Sequence, residues 1–239
     1  MAFFSRDPEK RRVELLVLAY SPLWMVAIAL VQYGRWFTRW GDAGHLAFGV
    51  ALALPVWLLA LASAHGARFA LLITLMSLIQ NYFGAQLFFD AFGMQYHFPV
   101  HWIVRGTPLF LYAVTVAYFA TYYVVLTVAW RAVQSRFPSR IARVAFRALL
   151  SYAVAFAETF CMANKSLQAY FSYRDPRAVM WFGSIAYGTL FFITLPLFYD
   201  LDERAPAPTR RAIWDCLALN MLVLICYELY SAGYARLIG

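Results

Sequence analysis

Apolar residues run in long blocks along this chain, and polar residues gather in the short intervals between them. Seven stretches of about 20 mostly apolar residues, the length a helix rising ~1.5 Å per residue needs to cross a hydrocarbon core, lie near 13–32, 44–63, 69–90, 108–130, 142–163, 178–199 and 212–230. The pattern predicts an all-α fold: a polytopic membrane helix bundle of about seven transmembrane helices, with six as the alternative count. The second and third stretches are divided only by "HGAR", 65–68, where Gly66 and its polar neighbours suit a tight reversal between antiparallel helices. With no linker-like, low-complexity or repeated segment, residues 1–239 are expected to form a single integral membrane domain.

Composition agrees: 63% of the 239 residues are hydrophobic and 13% charged, against roughly 45–50% and 25% in a soluble domain. The formal charge of +8 is unevenly placed, most Lys and Arg falling on the side of the bundle that holds the amino terminus. By the positive-inside rule that terminus is cytoplasmic and the carboxyl terminus outside, in a bacterial inner membrane or the endoplasmic reticulum. Anionic membrane lipid accounts for the basic excess, so no nucleic-acid partner is invoked, and no obligate protein partner is evident. The first span follows "RDPEKRR" but is long for a signal-peptide core and lacks a small-x-small cleavage site, so it reads as a retained helix.

The candidate chemistry is sparse. Four histidines are too few for a histidine-box di-iron enzyme, and Pro99 interrupts the i, i+4 pair of "HFPVH", 97–101, so no metal site is expected. A retinal protein would need a lysine in the last span, whereas the only lysines are Lys10 and Lys165. No phosphate loop, nucleophile elbow or zincin motif occurs, and nothing points to a nucleotide or redox cofactor. Cys161, Cys216 and Cys226 lack paired spacing and read as packing residues.

What remains is a handful of polar groups at membrane depth, where an ionised side chain costs several kcal/mol and so faces a partner or a cavity. Asn81, Tyr82, Glu158, Asn164, Asn220 and Glu228 are the members. Ser151, Glu158 and Lys165 share one stripe at seven-residue intervals, and Ser77, Asn81, Gly84 and Phe88 form a comparable one in the third span. In the orientation above, Asn81, Glu158, Asn164, Glu228 and the loop 90–107 fall in the outer half, where they could line one pocket. As plain interhelical glue each hydrogen bond would be worth about 0.6–2 kcal/mol, but a carboxyl such as Glu158 that holds a proton there is also a usable acid. Aromatics make up 19% of residues, in clusters such as "YFATYY" and "YFSY". Most read as interfacial belt or core; the rest could wall a flat hydrocarbon and stabilise a carbocation.

Four ordered blocks carry a resemblance: "DPEKRRVELLVLAYSPLW" (7–24), "NYFGAQLFFDAFGMQYHFP" (81–99), "SYAVAFAETFCMAN" (151–164) and "LPLFYDLDE" (195–203). In register from about residue 7 to 215, the chain resembles the cycloeucalenol cycloisomerase family, the cyclopropyl sterol isomerases. The matching positions include Glu14, Trp24, Asn81, Tyr82, Phe83, Tyr96, Tyr152, Glu158, Thr159, Asn164, Asp202 and Glu203; His97, Asp90 and Lys165 are not family positions. The family's polar start to the fourth span is apolar here, at "PLFLYA".

The resemblance implies opening of the 9β,19-cyclopropane ring of a cyclopropyl sterol substrate to an 8(9)-unsaturated sterol, without a cofactor. An acid protonates carbon 19, aromatic walls shield the cation at carbon 9, and a base removes the proton from carbon 8. On this reading Glu158 is the acid, with Asn81 and Tyr82 orienting it or relaying the proton. Tyr96 or Asn164 holds the sterol hydroxyl, while Phe83, Tyr152 and Trp24 contact substrate. Glu14, Asp202 and Glu203 are a possible second acidic site, or structural partners of Arg11, Arg12 and Arg204 on the cytoplasmic side. The alternatives are a non-catalytic sterol or lipid carrier and a sterol 8-to-7 double-bond isomerase.

Overall fold

The computed structural model describes residues 3–164, 167–203 and 205–238. Among them seven helices are long and apolar enough to cross a membrane: α1 Pro8–Tyr33, α2 Asp42–Ala62, α3 Ala64–Phe92, α4 Leu109–Arg136, α5 Arg140–Met162, α6 Pro176–Asp200 and α7 Thr209–Ile238. The chain is therefore an all-α, multi-pass membrane bundle. Its boundaries are written in local chemistry. Asp7, Ser139 and Asp175 cap α1, α5 and α6 through side-chain oxygens that accept backbone N–H groups, and Pro8 and Pro176 stand where a missing N–H costs nothing. Pro138 follows the last turn of α4 and forces the short reversal into α5.

The reversal between α2 and α3 comes earlier than "HGAR". It rests on the extended Ser63, whose Oγ accepts the Gly66 N–H at 3.0 Å, so residues 65–68 form the first turn of α3. Gly66 serves close approach instead of turning: a Cβ there would collide with the carbonyl oxygen of Leu59.

Helix α4 is the central pillar, with α1, α2, α3, α5 and α6 packed around it. Val116, Ala120, Tyr123 and Leu126 on α4 are buried against Met76, Phe191, Leu195 and Phe198 in one continuous apolar core. Two helices carry a π turn, α3 at Gln80–Gly84 and α6 at Val179–Gly183. Such turns widen the helix locally and re-aim side chains. At this end of the bundle two small sheets close the structure. Strand β1 (Gln95–Tyr96) pairs antiparallel with β4 (Phe171–Ser172), Tyr96 opposite Phe171, while β2 (Ile103–Val104) and β3 (Thr107–Pro108) form a hairpin turned by Arg105 and Gly106. The opposite end holds the start of α1 and the connections 136–140 and 200–208.

Candidate functional site

The strand end contains a cavity between α3 and α5, floored by α4, α6 and α7 and covered by the β1–β4 sheet. Its cavity volume is about 120 Å³, smaller than the ~300–1,000 Å³ of most small-molecule sites. Its wall is rich in aromatic rings: Phe88, Tyr96, Tyr118, Phe119, Phe171, Tyr173, Tyr187 and Tyr227. These rings support one another edge to face, Tyr187 against Phe88 at 6.0 Å and Tyr96 against Phe171 at 5.5 Å. The polar atoms set into it are few and come from Gln80, Asn81, Thr115, Glu158 and Thr159 besides the tyrosine hydroxyls.

Glu158 stands one turn before the end of α5 and faces this cavity. The Tyr187 hydroxyl of α6 donates to its Oε2 at 2.6 Å, and the Tyr122 hydroxyl of α4 engages the same carboxyl. No described Lys, Arg or His forms an ion pair with it. In the lid, burial and then neighbouring negative groups push the Tyr96 and Tyr173 hydroxyls well above the ordinary phenol range. Both stay protonated and able to donate hydrogen bonds.

The residues expected from the sequence separate into three groups. Asn81, Tyr96 and Glu158 come together in the cavity. Tyr82 and Phe83 do not: both are exposed, packed on each other at 4.6 Å, with the Arg105 guanidinium 5.5 Å over the Tyr82 ring. Successive residues of a helix diverge by about 100°, and the turn that aims Asn81 inward aims Tyr82 and Phe83 out. Trp24 is a support, its indole N–H donating to Thr121 Oγ1 at 2.9 Å and its ring lying 4.6 Å from Tyr118, behind the cavity wall. Tyr152 stacks on Phe156 at the α5–α6 contact, and Asn164 is exposed beyond the end of α5, its carbonyl accepting the Leu167 N–H at 2.9 Å. Asn220 is buried below the cavity, and Glu228 is exposed on α7 outside it. Lys165 and Arg204, which the sequence set beside Glu158 and Glu203, lie outside the described residues.

The third group lies at the other end. Glu14, Asp202 and Glu203 belong to a knot of ion pairs whose cations are not Arg11 and Arg12, both exposed, but Lys10, Arg68 and Arg131. Arg131 grips Glu203 with two N–H groups at 3.0 and 2.8 Å and reaches Glu14 at 2.8 Å. Buried Lys10 donates to the carbonyls of Phe198, Tyr199 and Leu201 at 3.1, 2.5 and 2.7 Å, closing the carboxyl end of α6, and pairs with Glu203 at 3.0 Å. Asp202, in left-handed backbone at φ 55°, takes His65 at 2.7 Å, Arg68 at 2.9 Å and the Ala207 N–H at 2.7 Å. Burial alone would raise the Glu203 carboxyl, but Arg131 and Lys10 outweigh it and hold it at about 2; the Ala207 amide, His65 and Arg68 likewise hold Asp202 below its ordinary range. Every oxygen of this cluster is engaged, which suits a strut better than a proton donor.

Sequence reasoning passed over Tyr187, Tyr227 and Gln80. Tyr187 sits in "SIAYGTL", where a tyrosine reads as any core aromatic; Tyr122 and Tyr173 lie in the quoted aromatic clusters, but nothing local separates them from belt residues.

No family model matches the chain, and no solved structure matches it. Among curated proteins it is similar to the cycloeucalenol cycloisomerase of Arabidopsis thaliana, 24% identical over 245 residues that cover 94% of this chain and 86% of that one. The likeness is distant in identity and spans nearly the whole length of both.

Proposed function

We propose that this protein is a sterol isomerase that opens the 9β,19-cyclopropane ring of a cyclosterol by proton transfer, needing no cofactor. The observation that carries the reading is Glu158: a carboxyl without an ionic partner among the described residues, held by Tyr187 and facing an aromatic cavity at membrane depth. The full-length likeness to a cycloeucalenol cycloisomerase gives that acid a reaction. Ring opening asks for one proton delivered to carbon 19 and one removed from carbon 8, with the cation between them kept from water. Glu158 delivers the first proton, while the Tyr187 and Tyr122 hydroxyls hold the carboxyl in place and stabilise the carboxylate as it forms. The faces of Phe88, Tyr118, Phe119 and Phe171 shield carbon 9, a cation–π contribution worth about 2 kcal/mol when desolvated. Carbons 8 and 19 both adjoin carbon 9, so the carboxylate left by the first step is placed to take the second proton, and no net proton is consumed.

The concentration of basic side chains at the amino-terminal end supports a cytoplasmic position for that end, with the cavity in the opposite leaflet. The test is turnover of a 9,19-cyclosterol by the purified chain in deuterated water. The expected product carries one deuterium in the new angular methyl group. A product without that label removes the protonation mechanism, and binding of both cyclopropyl and ordinary sterols with no product would make the protein a carrier.

A further inference from the structure

Two oxygens that line the cavity with Glu158 receive no hydrogen from the described residues. Their identity is fixed by a chain of hydrogen bonds. Asn220 Nδ2 donates to the Cys216 carbonyl at 2.8 Å, so Asn220 Oδ1 is an acceptor, and Gln80 Nε2 donates to it at 2.8 Å. Gln80 Oε1 is thereby left over. Asn81 Nδ2 donates to the Ser77 carbonyl at 2.9 Å, which leaves Asn81 Oδ1 over as well. Among the described residues no donor reaches either oxygen, and neither is sealed off. Gln80 and Asn81 both line the cavity, and each is only 8% exposed.

The π turn Gln80–Gly84 makes this possible by widening α3 enough to aim two consecutive side chains inward. Gly84 is part of the device: a Cβ there would fall on Gln80 Oε1 and lie 3.4 Å from Tyr227 Cε2. Asn81 stands 17 residues into α3 and Glu158 18 residues into α5, two helices running the same way. That is a rise of roughly 25 and 27 Å, and the acceptors and the acid line the same cavity.

We infer that Gln80 and Asn81 form an acceptor subsite for a ligand hydroxyl, so that the protein takes a sterol alcohol, held across the cavity toward Glu158, and discriminates against the matching ketone or methyl ether. An unpaired acceptor is satisfied by a donor such as a ligand O–H, whereas a carbonyl or ether oxygen would set two acceptors against each other. This deepens the sterol reading and rests on it. It moves the hydroxyl away from Asn164, which the cavity does not include.

The experiment measures dissociation constants of the full chain in lipid nanodiscs for a 9,19-cyclosterol 3-alcohol, its 3-ketone and its 3-methyl ether. The alcohol is expected to bind about tenfold or more tightly than either analogue. In Asn81→Leu that preference should fall to within about threefold, with ketone affinity nearly unchanged. Gly84→Ala, which displaces Gln80 Oε1 without touching Asn81, should lower it as well, so a folding defect in one variant leaves the other to decide. Equal binding of all three compounds by the wild-type chain overturns the subsite while leaving the sterol reading intact. A preference that survives both variants and disappears in Tyr96→Phe overturns it in favour of the lid. Failure of every sterol to bind overturns the sterol reading and the subsite together.

Discussion

The two ends of the bundle treat acidic side chains in opposite ways. At the amino-terminal end Glu14, Asp202 and Glu203 meet Lys10, His65, Arg68 and Arg131, and nearly every oxygen and N–H group in the knot has a partner. At the strand end Glu158 has no ionic partner among the described residues, only tyrosine hydroxyls and a cavity. A buried acid matched with cations is committed to architecture, since removing one partner strands the other's charge. A buried acid held by neutral donors can give up a proton to a substrate, the carboxylate that forms being held by those donors and balanced by the substrate cation.

The sharpest way to break this contrast is at the paired end. Arg131→Ala should destabilise the bundle by about 3–5 kcal/mol, the cost of leaving a buried ion pair half empty, read as a lowered thermal midpoint in detergent. A variant with ordinary stability would mean that the knot is no strut. At the unpaired end, Tyr187→Phe removes one donor from Glu158 and should slow turnover about tenfold, or ~1.4 kcal/mol, with the thermal midpoint nearly unchanged.

Acid should separate the two ends as well. Glu203 is held at about 2 from an ordinary 4.5. Its folded value lies below its unfolded one, so its stabilisation is complete above about pH 4.5 and is lost as pH falls through 2. Thermal midpoints measured across that window should decline in the wild type and be flatter in Glu203→Gln. The smallest effect is expected from Tyr82→Phe: a side chain exposed outside the cavity should leave stability within about 0.5 kcal/mol and turnover unaltered. A large loss there would return Tyr82 to the reacting centre.

The helices could be read from the sequence because a membrane leaves few solutions to a block of 20 apolar residues, and Glu158 because one acid in such a block is costly enough to notice. The α2–α3 reversal was misplaced by a few residues because Gly66 meets two different needs, turning and close approach, with the same letter. The partners of Glu14 were illegible for another reason: Arg131 lies 117 positions away, and only the folded bundle brings it within 2.8 Å while Arg11 and Arg12 face outward. Likewise the inward turn of Gln80 together with Asn81, and the outward turn of Tyr82, depend on a π turn that hydrophobic periodicity does not encode.

The central claim is that Glu158 supplies the proton, and Glu158→Gln tests it most directly because the amide keeps the shape and the Tyr187 hydrogen bond while removing the acidity. Conversion of a 9,19-cyclosterol should be measured beside sterol binding in the same preparation. The account predicts a loss of conversion of about 10²–10⁴-fold with binding retained; near-normal conversion by that variant would contradict it.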